Sequence, residues 1–126
     1  MTTNQDFEFT NKVLFHERRL LQDLLDRLPN EVDLEDPVWH KVHDRKKREL
    51  EDKTTESIGH NLGLARTYAR RFTGVPPDVA RNFDAACVIG LMKALDTYDP
   101  ANGSFAQQAF KPIQREVLRA VHAADL

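Results

Sequence analysis

The chain has 126 residues, of which 40% are hydrophobic and 30% charged. That is enough apolar side chain to offset ordering entropy, so wholesale disorder is excluded, and the length suits one small domain. A net charge of −2 excludes a general polyanion binder, so any nucleic-acid contact must come from a local patch. Up to Thr55 there are 13 acidic and 10 basic residues; from Glu56 onward there are 7 acidic and 8 basic. The acidity therefore sits in the first part. Cys87 is the only cysteine, which rules out an intramolecular disulfide and fits a reducing cytoplasm. The first residues lack a signal-peptide pattern, and no apolar run approaches the roughly 20 residues that cross a bilayer. The expectation is a cytoplasmic protein with no membrane partner.

Sustained period-2 alternation is absent, so the chain reads as all α. A first helix is expected from Thr10, as N-cap, to Leu28. Val13, Leu14, Leu20, Leu21, Leu24, Leu25 and Leu28 give it a wide apolar face, read first as core and second as a partner surface. Asn30 to Pro37 is an acidic loop with Glu31, Asp33, Glu35 and Asp36. A second helix is expected after Pro37, covering Trp39 to about Lys53, with an unbroken run to Thr73 as the alternative. Trp39 is expected to anchor it against the first helix. Its segment Asp44–Lys53 mixes both signs densely, the pattern of an exposed helix with i,i+4 pairs. Phosphate contact by Arg45 to Arg48 is the other reading. His40 and His43 share a helix face, but no third or fourth ligand accompanies them, so no metal site and no cofactor is expected.

Ser57 to Phe72 reads as helix, stopped by Gly74, with Arg66, Arg70 and Arg71 on its polar side. A further helix from Asp78, with a break near Asn82, leads into the apolar stretch Val88–Tyr98. That stretch places Ile89, Met92 and Leu95 on one side and Leu91, Ala94 and Tyr98 beside it. It stops at Asp99-Pro100, before the Asn102-Gly103 turn. Cys87, among small apolar residues, reads as a buried hydrophobe and not a nucleophile. The last helix should start after Ser104 as N-cap, with Phe105, Ala109, Ile113, Val117 and Val121 as its stripe and a kink at Pro112. Lys111, Arg115, Arg119 and His122, with Gln107, Gln108 and Gln114, lie away from that stripe. Such groups contact phosphates and base edges; a solvated face is the alternative. No Gly-rich phosphate loop, HExxH or nucleophile with a nearby base is present, so the chain is not expected to be an enzyme.

From Asn61 to Val121 the order of features resembles region 2 of bacterial sigma factors, the promoter-opening subunits of RNA polymerase. Asn61-Leu62-Gly63-Leu64 followed by Tyr68-Ala69-Arg70-Arg71-Phe72-Thr73-Gly74 is similar to the family's "NLRLV---A-RYTG". Ile89-Gly90-Leu91-Met92-Lys93-Ala94 with Tyr98-Asp99-Pro100 and Gly103 is similar to "IGLMKA-D-FDP--G". Phe105, Ala109, Ile113, Glu116-Val117 and Arg119 fit the helix that follows, and the match covers about half the chain. The resemblance implies a helical domain over 56–126, preceded by a helical segment with its acidic loop over 1–55. It implies docking on the coiled coil of the largest polymerase subunit through Asn82, Ala85, Ala86, Ile89 and Met92. It further implies contact with the minus-ten promoter element: Asn61, Leu64 and Tyr98 near flipped bases, Phe105, Gln108 and Lys111 on the melting helix, and Arg115 and Arg119 on the duplex upstream.

Departures shape the expectation. Ala85 and Ala86 stand where the family's "DLIQEG" has Gln and Glu, and Gln108, Lys111 and Pro112 stand where primary factors have aromatics. No helix-turn-helix domain follows Leu126 in this sequence. The expected function is transcription initiation or regulation, with core RNA polymerase and promoter DNA as partners and a separate protein reading the upstream element. The alternatives are a sigma mimic that occupies an anti-sigma factor or polymerase without melting DNA, and a helical dimerisation module that uses its first helix.

Overall fold

The computed structural model describes residues 4–28, 36–76 and 81–124. The fold is all α. The described helices are α1 (Asn4–Arg27), α2 (Pro37–Thr73), α3 (Asp84–Thr97) and α4 (Phe105–Ala124). Single 3-10 turns at Arg81–Phe83 and Pro100–Asn102 lead into α3 and out of it. No strand occurs among the described residues, and no helix is long and apolar enough to cross a membrane. The chain divides into two units, 1–57 and 58–126, and the boundary falls inside α2.

In the first unit, α1 begins at Asn4, earlier than the Thr10 cap suggested. Half-buried Phe7 extends the inner face one turn upstream of it. The inner positions Phe7, Asn11, Leu14, Arg18, Leu21, Leu25 and Leu28 alternate by four and three residues, and all are buried or half-buried. Most of the acidic connection expected at Asn30 to Pro37 lies outside the described residues. Asp36 at its end caps α2: its carboxylate accepts from the N–H of Val38 at 2.9 Å and of Trp39 at 3.4 Å, and Pro37 takes the first helical position. Trp39 stacks on His43 of its own helix, with ring centroids 4.8 Å apart, and meets His40 edge-on.

Polar contacts tie α1 to α2 at one level. Arg18 Nε donates to Thr54 Oγ1 at 3.1 Å, and Lys53 Nζ meets Glu17 Oε2 at 2.6 Å. At a rise of about 1.5 Å per residue, parallel helices in this register would leave about 40 Å between Arg27 and Pro37. Ten residue steps reach at most about 36 Å. The two helices therefore form a hairpin. The charged run on α2 is largely exposed, at Arg45, Lys47 and Arg48 among others, but its ion pairs are spaced i,i+3 and not the expected i,i+4: Lys46 meets Glu49, and Lys53 meets Glu56 just beyond the run, each at 3.3 Å.

α2 is one helix of 37 residues, so the unbroken run to Thr73 is the observed one. Gly74 ends it with φ 68°, and its N–H donates to the carbonyl of Arg70 at 2.8 Å. This left-handed stop is open to glycine at little cost. In the second unit the core lies between α3, α4 and the end of α2. Phe105, Ala109, Ile113 and Val117 of α4 are fully buried, as are Ala65, Ala69, Cys87, Leu91 and Ala94. The closest approach is at Gly90, where an added Cβ would stand 2.8 Å from the Cα of Ile113. The start expected at Asp78 lies outside the described residues; α3 itself begins at Asp84, after the turn that contains Asn82.

α4 opens with a capping box. Ser104 Oγ accepts from the N–H of Gln107 at 3.1 Å, and Gln107 Oε1 accepts from the N–H of Ser104 at 3.4 Å. The helix continues through Pro112. An aromatic cluster closes the end of α2 against α4: Tyr68, Phe72 and Phe110 meet pairwise at 5.1–6.2 Å, and the Tyr68 hydroxyl donates to the carbonyl of Ala106 at 2.9 Å.

Candidate functional site

Two outward faces of the second unit carry candidate chemistry. The first belongs to α3. This helix is apolar nearly all round, so its sequence does not choose which side is buried. Packing chooses: Ala86, Cys87, Gly90, Leu91, Ala94 and Leu95 turn inward. Ala85, Ile89, Met92 and Asp96, spaced at helical intervals of four, three and four, turn outward. Ile89 is 45% exposed and Met92 48%. They therefore separate from Leu95, with which the sequence pattern had grouped them. Of the residues expected to meet the polymerase, Asn82, Ala85, Ile89 and Met92 are accessible. Ala86 is not; it lies in the buried face one position further round the helix.

An ion pair fixes the start of this face. Arg66 on α2 grips Asp84 with two parallel bonds, Nε to Oδ1 at 3.0 Å and Nη2 to Oδ2 at 2.7 Å. The guanidinium holds the Asp84 carboxyl below its ordinary value, and the N-terminal turn of α3 also favours the negative charge. Sequence reading placed Arg66 on a solvated side and missed this pair, whose partners are 18 residues apart.

Cys87, next on the inner face, is fully buried and its Sγ donates to the carbonyl of Ala65 at 3.6 Å. Burial first, and the charge of Asp84 second, push its thiol up to about 11. A thiol that rarely ionises is a packing group and a poor nucleophile.

The second face belongs to α4. Gln107, Lys111, Arg115, Leu118 and His122 are exposed along it, and Lys111 and Arg115 have no ion pair among the described residues. Arg119 stands at its edge and reaches back to Glu116 at 3.3 Å. Glu116 is buried and is also held by Lys93 of α3, which is the main cause of its lowered carboxyl pKa. The expected basic ridge thus exists as Lys111 and Arg115, while Arg119 is partly committed to Glu116.

Five of the residues expected to contact DNA lie elsewhere. Asn61 and Phe105 are fully buried, and Tyr98 is packed edge-on against Phe105 with centroids 5.1 Å apart. These three are core groups in this conformation. Leu64 is half-buried. Gln108 staples the turn after α3: its Nε2 donates to the carbonyls of Asp99 at 2.8 Å and Gly103 at 2.9 Å, while its Oε1 accepts from the N–H of Asp99 at 3.1 Å. The carboxamide is spent on the loop at both ends. Among the described residues no group of three or more His, Cys, Asp or Glu converges. No protein-family model, curated protein or solved structure matches the chain.

Proposed function

We propose that the chain is a cytoplasmic transcription-initiation or transcription-regulation protein whose second unit acts like a sigma region 2. In this reading α3 docks its outer face on the coiled coil of the largest subunit of core RNA polymerase. α4 lays Lys111 and Arg115 on promoter DNA beside the minus-ten element, and a separate protein reads the upstream element. The observation that carries the reading is the exposure of Ile89 and Met92 on a helix whose opposite face is fully packed. Apolar side chains spaced i,i+3 on an anchored helix suit insertion between the ridges of a partner helix. The bases of this reading are that surface and the order of motifs between Asn61 and Val121.

A second reading is favoured by a specific observation. Asn61, Tyr98 and Phe105 are core groups, and Gln108 is held by its loop, so no open pocket for a flipped base is supplied by them. That suits a mimic which occupies polymerase or an anti-sigma factor without melting DNA.

The test is co-elution of the full chain with purified bacterial core RNA polymerase, with Met92→Asp as control. Binding that the control abolishes supports docking through α3, and absence of binding by the native chain sinks it. Promoter binding by the complex separates the two readings. If α4 meets phosphates, Arg115→Ala and Lys111→Ala should each flatten the salt dependence by about 0.9 in the log–log slope. An unchanged slope leaves the mimic.

A further inference from the structure

In the first unit, α1 is apolar on two sides. Its inner line faces the hairpin. A second line, roughly a third of a turn away, is formed by Phe9, Val13, Leu20 and Leu24, all exposed, with Phe9 at 66% and Leu20 at 63%. Asp6 and Arg27 close its two ends, and His16 and Glu17 stand at its middle. The line reads the same in both directions. Turned about a two-fold axis between His16 and Glu17, Phe9 falls opposite Leu24, Val13 opposite Leu20, and Asp6 opposite Arg27. Every apolar residue meets an apolar residue, and each end pairs a carboxylate with a guanidinium. From Asp6 to Arg27 the line runs about 32 Å, and its apolar part, Phe9 to Leu24, about 22 Å.

We infer that α1 pairs antiparallel with α1 of a second copy of this chain, making an isologous dimer. Isologous contact requires a surface complementary to itself under a two-fold rotation, and this stripe has that property in both apolarity and charge. Antiparallel alignment also sets the positive end of each helix dipole beside the negative end of the other. The inference is independent of polymerase docking, because it uses only the first unit.

The test is sedimentation equilibrium of the full chain, with far-UV circular dichroism as the check on folding. The native chain should sediment as a concentration-dependent dimer. Leu20→Glu should weaken it about thirtyfold, the scale of a central interface residue, with helicity unchanged. The register has its own test. Asp6→Arg alone and Arg27→Asp alone each set like charges together at both ends, and each should weaken the dimer several-fold. Mixing those two variants restores both pairs and should restore the native affinity. A native chain still monomeric at about 0.1 mM, the weak end of specific association, overturns the inference. So does a dimer indifferent to Leu20→Glu, or a mixture no tighter than its components.

Discussion

In the second unit α3 and α4 approach until backbone meets backbone at Gly90 and Ile113, and the residues between them are sealed from water. In the first unit α1 and α2 are bridged by Arg18–Thr54 and Glu17–Lys53, while Phe9, Leu20, Val38 and Val42 stay exposed. Apolar side chains are plentiful in both. The difference is geometric: a hairpin of two helices can cover only one stripe on each, whereas in the second unit the end of α2 adds a third helical surface to α3 and α4. Among the described residues, the unit with three surfaces leaves large apolar side chains exposed only at Ile89, Met92 and Leu118, while the hairpin leaves a whole line uncovered.

The largest expected effect breaks the sealed core. Phe105 is fully buried, opens α4 and packs edge-on with Tyr98. Phe105→Ala should cost about 3–5 kcal/mol by loss of burial and by the cavity left behind. Chemical denaturation monitored by circular dichroism would measure it. A loss below about 1 kcal/mol would mean that the core is not closed in solution.

Gly90→Ala comes next. Alanine favours helix by about 1 kcal/mol over glycine. Here the new Cβ would stand 2.8 Å from Ile113 Cα, a backbone atom that moves only if α4 moves. Overpacking of this kind costs about 1–3 kcal/mol. A net destabilisation is expected in the same denaturation assay. A stabilised variant would show that α3 and α4 are further apart than 90 and 113 place them.

The same glycine shows what could be read from the sequence. The stripe of α4 and its Ser104 cap were legible, because i+4 spacing and a serine before it are local signals. The inner face of α3 was not, because a helix apolar all round has no preferred side until Gly90 admits α4. Gln108 and Arg66 were read as surface groups for a related reason. Their partners, the Asp99–Gly103 loop and Asp84, come near only when the chain has folded. The start of α1 was missed because Thr10 is a good cap, whereas the helix runs upstream of it to Asn4 and half-buries Phe7.

Acid should act on the second unit through two carboxyls. Asp84 is held below its ordinary value by Arg66, and Glu116 by Lys93. A folded pKa below the unfolded one, about 4, gives stability that is present above that value and lost as pH falls through the folded pKa. Thermal midpoints of the native chain should therefore drop on acidification below about pH 4. Asp84→Asn and Glu116→Gln should each make that drop shallower. An acid profile indifferent to both would mean that neither pair persists in solution.

The smallest expected effect sharpens the comparison most. Val42 lies on the hairpin, outside the self-complementary line of α1, and is exposed on α2. Valine and serine differ little in helix propensity, and a substitution that touches no core changes stability by about 0.5 kcal/mol or less. Val42→Ser should therefore leave the denaturation midpoint almost unmoved, beside the large shift from Phe105→Ala. A loss above about 2 kcal/mol would require that Val42 is covered in solution. The first unit would then possess a sealed core after all, and its contrast with the second would fall.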